Sequence, residues 1–319
     1  MRQDSIMEQI FEQIDRKLHN TYKTRSRNLK IRTYKVVPLS DRRGIIEWVL
    51  NTITLYEYLL QAHPRYRPQD LKPSACRKAI EQAQGKTRAE RIKTFESVCA
   101  KFKPVFSWFF VETYRNPSVW YSNRLAYTRS VASSSMIGYI LGLGDRHSQN
   151  LLIDKTTGQI VHIDLGLSFE QGKVLPIPET VPFRLTRDMV DAMGITGTEG
   201  VFRRCCELTL EVLRSQSPDI LSILDVLKYD PLYSWTMSPV KLQKIQGSDP
   251  STFPNSAERG KSTDLTSDTH LSEAERAILI VERKLSENLS VESAVSELIQ
   301  EATSVNNLAL LYCGWSAFY

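Results

Sequence analysis

The stretch "YILGLGDRHSQNLLID", residues 139–154, sets Asp145, Arg146, His147 and Asn150 between two apolar runs that would otherwise suit a core. So dense a polar group needs partners or solvent, which makes it a loop between buried elements. The residues that follow, "NLLIDKTTGQIVHIDLG" at 150–166, read as strand, turn, strand, with "DKTTG" as the reversal. Two polar clusters therefore flank one hairpin. Asp164 shares the end that carries Asn150, while Asp154 lies at the turn.

The rest of the chain gives that hairpin a setting. Ile6, Ile10, Ile14 and Leu18, with Met7 and Phe11 beside them, mark one face of an amphipathic helix starting almost at residue 1. "LKIRTYKVVPLS" (29–40) and "GIIEWVLNTITL" (44–55) read as two strands joined by a turn at "DRRG". From about 56 to 138 the pattern is helical, broken at "HPRYRPQDLKPS", "KFKP" and "YRNPS", where prolines stop helices. Residues 246–270 are rich in Ser, Thr, Asp, Gly and Pro without apolar periodicity and read as a flexible linker. Val291, Val295, Leu298 and Ala302 then mark a last helix, and the apolar end "NLALLYCGWSAFY" calls for docking on a core. His19, His63 and His270 read as surface residues, and His162 as a core residue on the second hairpin strand.

Composition narrows the class. The 319 residues are 41% hydrophobic and 24% charged, enough for one or two cores. Net charge is +5, but Lys and Arg are spread along the chain, so no direct nucleic-acid site is read. The five cysteines form no C-x-x-C pair and no zinc or disulfide spacing, which favours a reduced, intracellular compartment. With no signal core and no run of about 18 apolar residues, the chain reads as neither secreted nor membrane-spanning.

The chemistry rests on spacing. Asp145 precedes Asn150 by five residues, and Asn150 precedes Asp164 by fourteen. This matches the protein-kinase order of a catalytic-loop Asp, a metal-binding Asn and, after a hairpin, a metal-binding Asp opening D-x-G. "GYILGLGDRHSQNLLID" with "VHIDLG" resembles the phosphatidylinositol 3-kinase-related protein kinases, whose catalytic loop reads D-R-H-x-x-N. "RQDSIMEQIF", "YKVVPLS", "PETVPFRLTRDMVDAMGITGTEGVFRRCCE", "YDPLYSW" and "LIQEATSVNNLALLYCGW" extend the resemblance toward its ataxia-telangiectasia-mutated branch and the fungal telomere-maintenance members.

The resemblance implies an α+β protein-kinase-like fold: a partial small lobe (1–47), a largely helical large lobe (48–243), a regulatory linker (244–286) and a FATC segment (287–319). It implies ATP with Mg²⁺ or Mn²⁺. Asp145 would orient or deprotonate the acceptor hydroxyl, and His147 would supply a hydrogen bond or a positive charge. Asn150 and Asp164 would hold the metal. Adenine would meet the backbone of Glu47 and Val49, Trp48 against its ring, Leu152 and Ile163 as floor and Tyr34 on the inner side. Asp4 matches an acid that engages a phosphate-binding lysine, or else caps its helix.

Protein substrates with Ser/Thr-Gln sites are implied, in DNA-damage signalling and telomere maintenance, in the nucleus. A sensor complex reached through upstream repeats and a full-length homodimer are implied too. The chain opens at Met1 where the family has a leucine, so the phosphate-covering loop and lysine read as missing and the chain as a fragment with little activity alone. A phosphoinositide kinase would carry a basic cluster after D-x-G, yet 167–183 holds only Lys173 as a base. A non-catalytic remnant is the third reading.

Overall fold

The computed structural model describes residues 2–40, 43–228, 246 and 272–319. Helix α1 (Arg2–Asn20) and the short α2 (Tyr22–Arg25) precede a two-stranded antiparallel sheet, β1 (Val36–Pro38) with β2 (Gly44–Ile46). The register pairs Val36 with Ile46 and Pro38 with Gly44. The second sheet runs in the order β3 (Thr52–Thr54), β4 (Leu151–Asp154), β5 (Ile160–His162), also antiparallel.

The segment 44–55 thus serves two sheets rather than one strand. Asn51, with φ 58°, takes the left-handed turn between them. The 29–40 stretch shortens for a different reason. Leu29 and Ile31 are drawn into the main core, leaving three residues for the ladder.

The helical bulk comprises α3 (Leu55–Tyr66), α4 (Pro73–Ala83), α5 (Arg88–Lys101), α6 (Ser107–Thr113), α7 (Pro117–Ile140), α8 (Arg187–Met193), α9 (Val201–Ser215) and α10 (Ser217–Leu227). Their starts are written locally: Thr54 with Glu57 and Thr87 with Glu90 form capping boxes, and Asn116 caps α7 ahead of Pro117. The face of α1 is buried as its period requires. Ile6, Ile10 and Ile14 are 5%, 1% and 2% exposed, because the helix packs on β1, α2, α9 and α10. Each such side chain contributes about 1.5–3 kcal/mol.

The expected linker is shorter than 244–286. Ser272 and Glu275 form a capping box that starts α11 (Glu273–Leu285), which buries Ala274, Ala277, Val281 and Leu285. Residues 229–245 and 247–271, with "YDPLYSW" and His270, lie outside the described residues. Helices α12 (Val291–Thr303) and α13 (Val305–Leu308) follow, and the apolar end is docked. Trp315, Phe318 and Tyr319 are buried, and the carbonyl of Phe318 accepts from Arg187 Nη2 at 2.8 Å.

That docking corrects the surface reading of His63. Its ring is 2% exposed, stacks on Phe102 at 3.8 Å and lies 5.8 Å from the Tyr319 ring. The partners come from distant segments, so no local pattern marks the burial.

Asp154 has a structural role. It is 3% exposed, pairs with Arg32, and accepts the turn N–H groups of Thr156 (2.7 Å) and Thr157 (3.2 Å). Gly158, at φ 74°, completes the reversal, and a Cβ there would come within 2.7 Å of the Asn123 carbonyl. The hairpin is therefore fixed at its turn. Its open end faces the site.

Candidate active site

The loop begins where α7 stops. Leu143 N–H donates to the Gly138 carbonyl at 2.8 Å, and Gly142 at φ 60° brings the backbone so close to the Glu170 nitrogen that a Cβ would meet it at 2.4 Å. Asp145 follows in the left-handed region, φ 56°, which Asp tolerates better than most residues. Both of its backbone groups are held. Its N–H donates to Glu179 Oε1 at 2.9 Å and its carbonyl accepts from Asn150 Nδ2 at 2.9 Å. Burial pushes the Asp145 carboxyl pKa up, the charge of Asp164 adds to this, and Arg146 opposes it.

Arg146 joins the two clusters. It is 3% exposed, and its guanidinium donates to the carbonyls of Gly144 (Nε, 2.8 Å), Ile163 (Nη1, 2.7 Å) and Asp164 (Nη2, 2.5 Å). One planar fork thus ties the catalytic loop to the D-x-G strand end. Asn150 is buried, and with Nδ2 committed to Asp145 its Oδ1 is left as a ligand oxygen. The exposed carboxylate of Asp164 makes no hydrogen bond or ion pair with the described residues.

Asn150 and Asp164 thus offer two hard oxygen donors. Among the described residues no group of three or more His, Cys, Asp or Glu could hold a metal unaided. That donor set suits a cation completed by phosphate oxygens and water, the habit of Mg²⁺.

His147 departs from one half of its expected role. Its Nδ1 accepts the Gln149 N–H at 3.2 Å, so Nε2 carries the proton. Burial, reinforced by Arg146 and Arg184, pushes its pKa down to about 4. The ring is neutral near pH 7. It can donate a hydrogen bond but brings no positive charge. His162 is likewise pushed down to about 3 by burial, and its buried Nδ1 finds no partner among the described residues.

The expected adenine-site residues come together. Tyr34, Val36 and Val161 form a small apolar cluster separate from the main core, with Val49, Leu152 and Ile163 packed against it. Glu47 N–H donates to the Lys35 carbonyl (2.8 Å), and its carboxylate accepts the Lys35 N–H (2.9 Å), which leaves its own carbonyl. The Val49 carbonyl accepts Thr52 Oγ1 at 2.8 Å, which leaves its N–H. One acceptor and one donor two residues apart match the amine and ring nitrogen of an adenine edge. Trp48, 85% exposed, keeps its indole open to a planar ring.

Asp4 lies inside α1 rather than at its cap, and its Oδ1 accepts the Leu165 N–H at 3.0 Å. It therefore binds α1 to the residue after Asp164.

Three site residues escape sequence reasoning. Glu179 accepts from Trp315 Nε1 (3.1 Å) on the oxygen that also holds Asp145. Arg184 donates to the carbonyls of Trp315 (2.7 Å) and Ser316 (2.9 Å) and lies 4.3 Å from the Trp315 ring. Gln246 accepts the Ile177 N–H (2.9 Å) and donates to its carbonyl (2.8 Å). It does so in a cleft of about 210 Å³ that Asp145, His147, Tyr56 and Trp315 also line. Glu179 and Arg184 stand within the "PETVPFRLT" stretch, but the Trp315 they share lies over 130 residues away in sequence.

This arrangement has known relatives. The family model described as phosphatidylinositol 3- and 4-kinase matches residues 1–237, and the FATC domain model matches 288–319. The chain belongs to the phosphatidylinositol 3- and 4-kinase family, and its fold is the kinase fold of that family. Among individual proteins it is 56% identical over 319 residues to serine/threonine-protein kinase tel1 of Emericella nidulans, covering 100% of this chain and 11% of that protein. It is 48% identical over 335 residues to serine-protein kinase ATM of Sus scrofa, covering 100% of this chain and 11% of that protein. The solved FAT and kinase domain of CtTel1 superposes with a TM-score of 0.90 at 52% identity, covering 100% of this chain and 21% of that one. The chain thus spans 11% of the length of these two curated relatives.

Proposed function

We propose that this chain is the catalytic part of a serine/threonine protein kinase that transfers the γ-phosphoryl of ATP, with Mg²⁺ or Mn²⁺, to Ser or Thr followed by Gln. The observation that carries the reading is the Arg146 fork, which ties the Gly144 carbonyl, next to Asp145, to the Ile163 and Asp164 carbonyls, while Asn150 bonds the Asp145 carbonyl at the same open hairpin end. Asp145, made more basic by burial, takes the proton of the acceptor hydroxyl. His147 Nε2–H donates toward the charge on the transferring group. Asn150 and Asp164 would hold the metal, which would supply positive charge against the phosphate oxygens.

Gln246 supports the preference for glutamine after the target residue. A carboxamide already makes two hydrogen bonds to the Ile177 backbone in the cleft beside Asp145, and a substrate glutamine would use the same pair. Lys173 argues against an anionic lipid headgroup, because its ammonium pairs with Glu170 at 2.7 Å. The names of the relatives support a role in DNA-damage and telomere signalling, hence work in the nucleus. Upstream repeats would engage a sensor complex, and a second full-length copy would complete a dimer.

The test is an upstream-extended chain given Mg²⁺ and ATP with a Ser-Gln peptide, a Ser-Ala peptide and phosphatidylinositol vesicles in parallel. Transfer to the Ser-Gln peptide alone, lost in Asp145→Ala, is the expected result. Transfer to the lipid in preference to the peptide would overturn it.

A further inference from the structure

Glu179 lies between three segments that are far apart in sequence. Its Oε1 accepts the Asp145 N–H at 2.9 Å and the Trp315 Nε1–H at 3.1 Å, and its own N–H donates to the Gly172 carbonyl at 3.0 Å. Two glycines make room for the carboxylate. A Cβ on Gly144 would stand 2.8 Å from Glu179 Oε2, and one on Gly172 would stand 2.4 Å from it. Both are closer than real Cβ contacts come. The catalytic loop, the segment after D-x-G and the C-terminal segment thus converge on one side chain.

The geometry points to Glu179 as the positioning residue that holds the catalytic loop and through which the C-terminal Trp315 sets Asp145. The claim rests on the phosphoryl-transfer reading of Asp145. Asp145 sits in the left-handed region, where a non-glycine residue stays only if its surroundings hold it. On its N–H side the holder is Glu179. Trp315 donates to the same oxygen, so the direction of that oxygen is fixed from the C-terminal segment. Arg184 places Trp315 by taking its carbonyl and stacking on its ring.

A buried carboxylate is also costlier to hold here than an amide would be. Burial pushes Glu179 up to about 7, with the charge of Asp145 adding and its N–H, Arg146 and Trp315 opposing. That a carboxylate stands in such surroundings fits a need for a strong acceptor of two N–H groups.

The experiment compares wild type, Glu179→Gln, Glu179→Ala, Gly172→Ala, Trp315→Phe and the double variant Glu179→Ala/Trp315→Phe in the upstream-extended chain. Two readouts are taken: kcat and KM on the Ser-Gln peptide, and amide exchange of the 143–150 segment, which needs no substrate. Glu179→Ala is expected to lower kcat about 100-fold with KM for ATP nearly unchanged, since a small displacement of a reacting group costs that much. Gly172→Ala should follow it by displacing the same carboxylate, and Glu179→Gln should recover most of the rate. Trp315→Phe should slow wild type several-fold yet add nothing to Glu179→Ala, and amide exchange of 143–150 should quicken in Glu179→Ala and Gly172→Ala.

Unchanged protection of 143–150 in Glu179→Ala overturns the proposal, whether or not transfer is seen. So does a Trp315→Phe effect of equal size in both backgrounds. Failure of the phosphoryl-transfer reading looks different: wild type and Asp145→Ala would be equally inactive while the exchange result stands.

Discussion

Arg146 and Asp164 are eighteen residues apart in sequence, and the guanidinium of the first donates to the backbone carbonyl of the second at 2.5 Å. The charge that a catalytic-loop arginine brings is therefore used within the protein, to fix where the Asp164 carboxylate begins. With Nε and Nη1 bound to Gly144 and Ile163, three carbonyls are gathered by one rigid plane.

Arg146→Lys should therefore lose transfer by about 100-fold, although charge is kept, because an ammonium cannot span three carbonyls in one plane. Steady-state kinetics on a Ser-Gln peptide, with thermal melting as a control for folding, checks this. Wild-type kcat in Arg146→Lys would show that the fork does not set the site.

The two acids of the hairpin should fail in different ways. Asp164→Ala is expected to abolish transfer while leaving the melting temperature within a few degrees, since its carboxylate has no partner among the described residues. Asp154→Ala should instead destabilise by about 2–4 kcal/mol, because it strands Arg32 and two turn N–H groups. Melting curves and kinetics on both variants separate the roles. Equal loss of activity at equal stability would contradict the assignment.

Glu8 gives a pH test. It is buried beside the Tyr34 N–H, which donates to it at 3.1 Å, and its Oε1 has no partner among the described residues. Burial raises its pKa from 4.5 to about 8, with Asp4, Glu12 and Glu47 adding and the Tyr34 N–H opposing. The folded chain thus keeps a proton that the unfolded chain releases above about pH 4.5. This group's contribution to stability falls as pH rises from 5 toward 8. Glu8→Gln keeps the acceptor and removes the titration, so its advantage in melting temperature over wild type should grow across that range. An advantage that does not change with pH would show Glu8 to be ionised in the fold.

The docked end should carry measurable stability. Phe318 is 1% exposed and meets Phe102 edge-on at 5.5 Å, so Phe318→Ala is expected to cost about 3–5 kcal/mol. Urea unfolding measures it. A loss below about 1 kcal/mol would mean that the segment is held by Arg184 and Arg187 alone.

What was legible in the sequence follows from how local each signal is. Asp145 and Asn150 lie in the loop just before one hairpin and Asp164 just after it, so spacing alone brings them to the same end, and the apolar cluster of Tyr34, Val49, Leu152 and Ile163, proposed to meet adenine, followed from the family resemblance. The start of α11 was also written locally, in Ser272 and Glu275, but the polar run before it concealed the helix. His63, Glu179 and Arg184 were hidden because their partners, Phe102, Asp145, Trp315 and Tyr319, come from other segments. The neutral state of His147 is set by burial near two arginines, which spacing does not encode.

The most direct measurement is a single-turnover assay of the upstream-extended chain, loaded with Mg²⁺ and ATP and mixed with a Ser-Gln peptide, beside Asp145→Asn with ATP binding measured on both. The site described here predicts ATP affinity unchanged within about threefold and phosphoryl transfer about 10³-fold slower in Asp145→Asn. Transfer by Asp145→Asn at the wild-type rate would contradict it.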